Sequence, residues 1–409
     1  MDSPDMDGAE FVKAGSLRVD RARALEKLKE RQLADPETFL LPWARCAAAS
    51  GAESLRIDAD AEGVTARFDG RPFSAAELED PYACLLDDGG PDGERGRNLA
   101  AGLLAALRLK PVAVEVSSGE GAGRVRLRAA SLEGERLEPA AEPWPGTLLR
   151  VRLAAGGASA GPRALEKVRA ACGMFRIPLF VSGEEVPSLA RGPLKAAALR
   201  YDEGSLRGCL VRSDPDAARV LHLYQRGVKV EEVRHKLPLP MAAHLDDEAF
   251  TLNASLSGVV RNERFDDAMS ALETRASEFL IAAAAAQAAA AKGAPDGART
   301  AFSAGGLGAW LRRVAAARLG VFEEDSRRPA LKALWEAPLY LDTDDRPLSL
   351  RDIDLQARRV GMVLIYDPAP PFRLPWSKSI DPSIRMIKWL DGSDRCLRAL
   401  FPERLKEYS

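Results

Sequence analysis

The stretch that most constrains the fold of this chain runs from Asp92 to Leu107, where a polar segment with two glycines passes directly into an apolar run. Gly93 and Gly96 are three positions apart, and glycine lets a backbone approach a ligand closely. The apolar run has helical character, and the first N–H groups of a helix favour an anion because they have no partner within the helix. Residues 111–116 then alternate like a half-buried strand. This order predicts a phosphate-binding loop at the start of a helix. A turn that merely begins a core helix also fits these residues.

The residues on both sides of this join predict a first domain of helices and antiparallel strands. Asp35 before Pro36 is a typical helix start, and Pro42 inside that helix is expected to kink or split it. Ser74 and Glu77 have the spacing of a capping box. The elements predicted for this domain are helices at 21–33, at 37–49 and from 74, and strands at 54–59, 64–68, 112–116, 124–128 and 146–153.

This order of elements resembles the Bergerat nucleotide-binding fold, the ATP domain of the GHKL superfamily, which includes gyrase B, the ninety-kilodalton heat-shock chaperones, histidine kinases and MutL. Residues 93–107 resemble the glycine box of the family's lid and following helix, with Asn98 in place of the last glycine. Gly146–Thr147 resembles the last glycine box, whose Thr lies near adenine, and Asp69–Gly70 resembles part of the Asp-x-Gly-x-Gly motif. The resemblance implies six cofactor-binding positions: Asp69, Gly70, Gly93, Gly96, Asn98 and Thr147.

The same alignment places unsuitable residues at the family's catalytic positions. In the family, one helix supplies a Glu that activates water and, four residues later, an Asn that holds Mg²⁺; these positions are Pro42 and Cys46 here. A proline cannot act as a general base, and Mg²⁺ prefers oxygen ligands to a neutral thiol. Phe68 stands where the family has the Asp that reads adenine. No catalytic residue is carried over, so the resemblance implies a fold that has lost its ATPase.

Two stretches in the middle of the chain narrow the resemblance to the ninety-kilodalton heat-shock chaperones, the HSP90 type. Residues 223–230 resemble a middle-domain strand of that family, and residues 250–257 resemble its Leu-Asn-x-Ser-Arg loop. The family's Arg in this loop reaches the γ-phosphate of ATP. Leu256 stands in its place, and Arg261, five residues later, is a weak substitute. The resemblance therefore implies that both parts of the hydrolytic machinery are missing.

The remaining sequence is first helical and then alternates between strands and helices. A long helix is predicted at 266–292, and Trp310 lies on an apolar helix face that serves either the core or a partner. Residues 338–341, 349–359 and 362–366 predict a βαβ crossover with parallel strands. The predicted fold class is α/β (α+β), with a Bergerat-type sandwich, a chaperone-like middle domain and a small C-terminal α/β subdomain. The predicted boundaries are 1–16 for a disordered lead, 17–155 for the N-terminal domain, 156–292 for the middle domain and 298–409 for the C-terminal subdomain.

Composition argues against some classes of function. Lys and Arg total 58 against 60 Asp and Glu, a formal net charge of −2, which argues against broad nucleic-acid binding. No apolar run is long enough to cross a bilayer, and the first residues lack the apolar region of a signal peptide. The five cysteines and three histidines show no metal-ligand or triad spacing. We expect a cytoplasmic protein, typical in its Ala- and Arg-rich composition of G+C-rich bacteria, with no membrane or nucleic-acid partner and no metal.

Three hypotheses for the function follow from these residues. The first is a divergent HSP90-like protein without ATP turnover that binds a client or partner protein. The second is a GHKL ATPase that binds ATP and Mg²⁺ with relocated groups, Glu37 or Asp69 serving as the base. The third is a scaffold or signalling module. Arg95 and Arg97 either contact an anion or are solvated loop charges, and a homodimer stays open in each hypothesis.

Overall fold

The computed structural model shows a mixed α/β protein with several separate sheets, compatible with the α+β class. The structure describes residues 21–86, 93–141, 144–154, 159–194, 198–213, 219–234, 237, 239–292, 302, 306–317, 329–366, 384–388 and 393–408. The predicted lead at 1–16 and the break predicted between residues 292 and 298 lie outside these ranges. The chain divides into two compact units, residues 1–52 with 57–167 and residues 53–56 with 168–409.

The first unit combines helices with an antiparallel run of strands. Its helices are α1 (Arg21–Arg31), α2 (Leu40–Ala49), α3 (Ala75–Glu79), α4 (Ala83–Leu86) and α5 (Gly93–Leu107), with a 3-10 turn at Pro36–Thr38. Its strands are β2 (Gly63–Phe68), β3 (Ala113–Ser118), β4 (Val125–Ala129), β5 (Arg136–Pro139) and β6 (Thr147–Arg152). They lie in the order β5-β4-β3-β6-β2, and each neighbouring pair is antiparallel. Strand β1 (Leu55–Ala59) and helix α6 (Ala160–Ala171) contain residues of both units.

Local sequence signals explain how the helices of the first unit begin. The side chain of Asp35 accepts a hydrogen bond from the Glu37 N–H at 2.9 Å, and the 3-10 turn that follows ends before α2 starts at Leu40. The predicted split of this helix is confirmed. Pro42 lies in the first turn of α2, where the N–H that proline lacks would have had no partner within the helix. The capping box of Ser74 and Glu77 at the start of α3 is also confirmed.

The second unit is built around a five-stranded sheet and a long helix. The strands are β9 (Ala198–Glu203), β10 (Leu206–Arg212), β11 (Val220–Gln225), β12 (Val228–Arg234) and β13 (Met241–Asp247), in the order β12-β11-β13-β10-β9. A short hairpin, β7 (Leu179–Val181) with β8 (Glu184–Glu185), precedes them. Helix α7 (Glu263–Ala291) begins three residues before its predicted start, and its Leu272 and Phe279 share one core with Leu223 and Leu245 of the sheet. No described helix, α7 included, is both long and apolar enough to cross a bilayer.

The last part of the second unit adds short elements to this core. They are α8 (Leu307–Ala317), α9 (Pro329–Glu336), β14 (Pro338–Leu341), β15 (Pro347–Ser349), α10 (Leu350–Val360), β16 (Val363–Tyr366), β17 (Ile387–Lys388), α11 (Ser393–Leu400) and β18 (Leu405–Tyr408). Trp310 of α8 is 2% exposed, packs edge-on against Phe279 and donates its indole N–H to the carbonyl oxygen of Pro240 at 2.9 Å. Its helix face is therefore a core face, and the alternative of a partner surface at Trp310 is wrong.

The predicted parallel βαβ crossover is also wrong. Strand β14 pairs antiparallel with β15, whereas β16 lies in a different sheet, between β17 and β18 and parallel to both. The carboxylate of Asp342 accepts N–H groups of Asp344 and Arg346 at 2.9 and 2.8 Å and so closes a tight turn. This turn brings β15 back beside β14 before helix α10 begins, so β14 is paired locally.

Candidate nucleotide-binding site

The glycine-containing join at the start of α5 is part of the helix. Helix α5 begins at Gly93, so Gly93 and Gly96 are helical residues and the expected loop with two glycines does not form in the described chain. Asn98 is 7% exposed, and its side-chain amide donates to the carbonyl oxygen of Glu94 at 3.0 Å. This side chain is bound to its own helix rather than directed towards a ligand. Residues 87–92, where the family's lid would begin, lie outside the described ranges.

Helices α2 and α5 pack directly on each other at the position where the resemblance would place the reactive end of a nucleotide. Trp43 is 1% exposed and donates its indole N–H to the carbonyl oxygen of Leu99 at 3.3 Å. A Cβ at Gly102 would overlap the Trp43 ring, so this glycine permits the close approach. Cys46, at the position of the family's Asn, is completely buried, and burial raises the pKa of its thiol to about 12. A buried neutral thiol is not a ligand for Mg²⁺.

The side chains expected around adenine are packed against each other. Phe68 at the end of β2 is paired with Thr147 of β6, and both are buried. The Thr147 and Ser118 hydroxyl oxygens lie 2.8 Å apart, and the Ser118 hydroxyl also accepts the N–H of Phe73 at 2.8 Å. These bonds engage the Thr147 hydroxyl within the protein. The structure therefore brings Phe68, Asp69 and Thr147 together at one end of the sheet, but with an aromatic ring at the adenine-reading position.

The Asp69–Gly70 turn lies against the end of α2. Gly70 has a φ of +126°, and a Cβ there would lie 2.8 Å from the carbonyl oxygen of Ser50 and 2.9 Å from the N of Ala52. The Arg71 N–H donates to the same Ser50 oxygen at 2.9 Å. Glycine is required here for both backbone conformation and space. Contacts within the chain therefore account for a glycine at position 70, and no bound ligand is needed to explain it.

Arg95 forms a buried link between α5 and the turn after β2, and neither interpretation offered for it from sequence is right. It is 3% exposed and donates to the carbonyl oxygens of Arg71 and Pro72 at 2.9 and 3.3 Å. It also pairs with Glu77 and lies over the Phe73 ring, 4.1 Å from its centre. Burial favours a higher pKa for Glu77, but its hydrogen bonds to Ser74 and Arg95 outweigh this and lower the pKa. Arg97 is exposed, as a solvated charge would be.

Two of the groups that an active ATPase would have to use instead, Glu37 and Arg261, are engaged in ion pairs. The Glu37 carboxylate contacts Lys167 Nζ at 2.8 Å and an Arg163 guanidinium nitrogen at 2.6 Å. The hydrogen bond from Lys167, with the nearby charges, lowers the pKa of Glu37, whereas a general base works best with a pKa near the operating pH. Arg261 is bound by Glu231 through contacts of 3.0 and 2.7 Å. Neither Glu37 nor Arg261 is held ready for a nucleotide.

Of the two stretches that resemble the chaperone middle domain, one forms a loop and the other forms two strands joined by a turn. Residues 250–257 form a loop in which the Asn253 side chain accepts the Ser257 N–H at 3.0 Å and Leu256 has a φ of +55°. Residues 223–230 are not one strand, because Arg226 and Gly227, both with positive φ, turn the chain between β11 and β12. A Cβ at Gly227 would lie 2.6 Å from the Met174 carbonyl oxygen, so this turn is tightly packed.

A scan against protein-family models and a search of curated proteins found no match to this chain. Within the described ranges, no three or more His, Cys, Asp or Glu side chains are grouped so that they could hold a metal ion. The geometry of the candidate site does not fit the ATP–Mg²⁺ site that the resemblance implies.

Sequence reasoning missed the contacts that fill the site. Trp43, Arg95 and Ser118 are all at most 3% exposed, and each is fixed by a contact to a residue distant in sequence. Ser118 depends on the alignment of β3 with β6, and Trp43 depends on the packing of α2 on α5. The signal that could have indicated this contact is Gly102 itself, because a glycine inside an apolar helical run often has a packing reason.

Proposed function

We propose that this protein is a divergent HSP90-like member of the GHKL superfamily whose nucleotide pocket is degenerate and which acts by binding other proteins. The proposal includes a Bergerat-type N-terminal domain, a chaperone-like middle domain, a small C-terminal α/β subdomain and a cytoplasmic location. Its support is the order of motifs along the chain, together with a first unit in which helices α2 and α5 accompany an antiparallel run of strands. A client or partner protein is the ligand that the proposal requires.

The observation that best supports a lost nucleotide site is the burial of the residues that would contact the nucleotide. Phe68, Trp43 and Thr147 are each at most 1% exposed, and Asn98 is 7% exposed. Ligand pockets are usually largely formed before the ligand arrives, so their lining residues keep accessible surface. Packed side chains at these positions support the proposal that the domain no longer binds a nucleotide and acts through its surface. The pairing of Glu37 with Lys167 and Arg163 weighs against the alternative of an active enzyme with relocated residues.

The test of the lost nucleotide site is isothermal calorimetry with ATP, with and without Mg²⁺, and with adenosine as a matched ligand that lacks phosphates. We expect no saturable heat from adenosine, because Phe68 and Thr147, at the positions expected to contact adenine, are buried and paired with each other. Micromolar binding of adenosine, or ATP turnover that is lost in a Glu37→Gln variant, would contradict the proposal and favour the ATPase hypothesis.

The test of protein binding is suppression of aggregation of a chemically denatured client protein. We expect the intact chain to reduce light scattering at stoichiometric amounts and to do so equally with and without ATP. An inert protein of similar size serves as the control for crowding. A chain that leaves the scattering unchanged would contradict chaperone-type binding, and the scaffold hypothesis would then replace it.

A further inference from the structure

A cavity of about 260 Å³ in the second unit is lined by four arginines. Arg200 lies on β9 and Arg207 on β10, while Arg176 and Arg191 come from the segment between α6 and β9. Asp202 is the acidic residue among the described lining residues. The nucleotide-like site of the first unit contributes none of these residues, so the cavity is a separate feature of the molecule.

Three of the four arginines are neutralised by carboxylates. Arg207 contacts Asp202 at 3.0 Å and Glu248 at 3.1 Å. Glu248 is shared with Arg176 at 3.3 Å and with Arg226, which is not among the lining residues, at 3.1 Å. Arg191 contacts Glu185 at 2.8 Å. The four guanidinium groups of the cavity wall therefore have three carboxylate partners, one of which Arg226 also uses. One guanidinium charge, that of Arg200, is therefore left without a carboxylate partner in the described chain.

Of the four lining arginines, Arg200 is the one that has no carboxylate partner among the described residues. Its Nε donates to the carbonyl oxygen of Leu189 at 2.8 Å, and a terminal nitrogen donates to the carbonyl oxygen of Gly192 at 2.6 Å. These neutral acceptors fix the orientation of the guanidinium and leave its charge uncompensated. The side chain is half-buried, so its charge is accessible from the cavity.

We propose that this cavity binds an oxyanion of the phosphate class, either inorganic phosphate or the head of a small phosphomonoester. A guanidinium presents several N–H donors in a planar arrangement that suits phosphate oxygens, and bonds between charged groups are stronger than neutral ones. The volume lies just below the range of roughly 300–1,000 Å³ usual for drug-sized ligands, which favours a small anion. Bound phosphate would compensate the charge of Arg200.

The experiment is a calorimetric titration of the full chain with sodium phosphate at constant ionic strength, with chloride as the balancing anion. We expect saturable binding that weakens about tenfold in Arg200→Gln and less in Arg200→Lys, which keeps the charge but not the planar donors. Asp202→Asn should strengthen binding several-fold, because it removes a competing carboxylate from the wall. A damaged fold cannot produce this gain, so the two changes together separate loss of the site from unfolding.

Arg234→Gln is the matched control, since Arg234 lies on β12 at the opposite edge of the same sheet. It should leave phosphate binding unchanged. No saturation below roughly 10 mM phosphate, or an equal effect of Arg200→Gln and Arg234→Gln, would overturn the proposal. Phenyl phosphate distinguishes the two sources of the anion: equal affinity indicates that only the anion is recognised, and tighter binding indicates that the ester group also enters the cavity.

The same variants keep this site distinct from the nucleotide question. ATP carries phosphates, so the arginine-lined cavity can produce heat with ATP in the wild-type chain. In Arg200→Gln the ATP affinity of this cavity should fall about tenfold, as its phosphate affinity does, and adenosine should give no heat. ATP affinity that Arg200→Gln leaves unchanged would belong to a site other than this cavity and would contradict the degenerate pocket without affecting the phosphate proposal.

Discussion

Trp43 and Gly102 show how the absence of one methyl group determines the packing of two helices. A Cβ on Gly102 would overlap the indole ring of Trp43, which is 1% exposed. We expect Gly102→Ala to lower the free energy of unfolding by about 1–3 kcal/mol, because overpacking outweighs the better helix propensity of alanine. Urea denaturation followed by circular dichroism measures the change.

Gly96→Ala in the same helix is the control for helix propensity. Its Cβ would lie 3.1 Å from the Cys84 sulfur, the end of a side chain that can move. This variant should be close to neutral or slightly stabilising. A Gly102→Ala variant as stable as Gly96→Ala would show that Trp43 can reorient and that the helix contact is not tight.

Asp246 is a buried carboxylate that should make stability depend on pH. One oxygen accepts the Gly227 N–H at 2.7 Å, while the other is buried without a hydrogen-bond partner among the described residues. Burial raises its pKa from 3.8 to about 6. The folded chain therefore binds more protons than the unfolded chain between these values, and the free energy of unfolding falls as the pH rises through this window.

Asp246→Asn should remove this dependence and keep an acceptor for Gly227. Relative to wild type, the variant should gain about 2–3 kcal/mol in free energy of unfolding between pH 4 and pH 7, measured by urea titrations at several pH values. The adjacent Asp247→Asn should instead lose about 1–3 kcal/mol at pH 7, because Asp247 is ion-paired with Arg264 at 2.6 Å. A gain that does not depend on pH would show that Asp246 is not the group responsible.

At the scale of secondary structure, elements with local signals were predictable and elements defined by distant partners were not. The capping box at Ser74 and the helix start after Asp35 are set by residues within four positions, and both were predicted. Strands β5 and β13 were missed. β5 is exposed along its length, and β13 contains alanines and acidic residues that rarely favour strands. The pairing of β14 with β15 is an exception: it was missed although its turn is local, with Asp342 accepting N–H groups two and four positions later, as aspartates in turns often do.

The start of helix α7 provides a test at this scale. Asn262 has an extended backbone, and its side chain accepts the Phe265 N–H at 3.2 Å, which caps a helix of 29 residues. Asn262→Ala should lower the free energy of unfolding by about 1 kcal/mol, whereas Asn262→Ser should retain most of it because serine is also a good cap. Hydrogen exchange of peptides from the first two turns reads the effect locally. Equal exchange in the alanine and serine variants would contradict a capping role.

At the scale of the whole chain, the sequence could suggest where a nucleotide site would be but not whether it is open. The six implied residues lie on α5, on β6 and in the turn after β2, which follow one another in the predicted order. Whether their side chains reach solvent depends on the packing of α2 against α5 and on the alignment of β2 with β6. Both are long-range contacts, and substitutions such as Phe68 acquire their meaning only once those contacts are known.

The division into two compact units predicts how the whole chain unfolds. Each unit buries its own apolar residues, such as Trp43 with Leu99 in the first and Phe279 with Trp310 in the second. Hydrogen exchange followed by mass spectrometry should therefore show that Gly102→Ala raises exchange in peptides of α2 and α5 without changing those of β10 and β13. Asp247→Asn should do the reverse, because its ion pair lies in the second unit. If either variant raises exchange across both sets of peptides, the chain unfolds as one cooperative body, and stability changes in the first unit would then act on the arginine-lined cavity of the second.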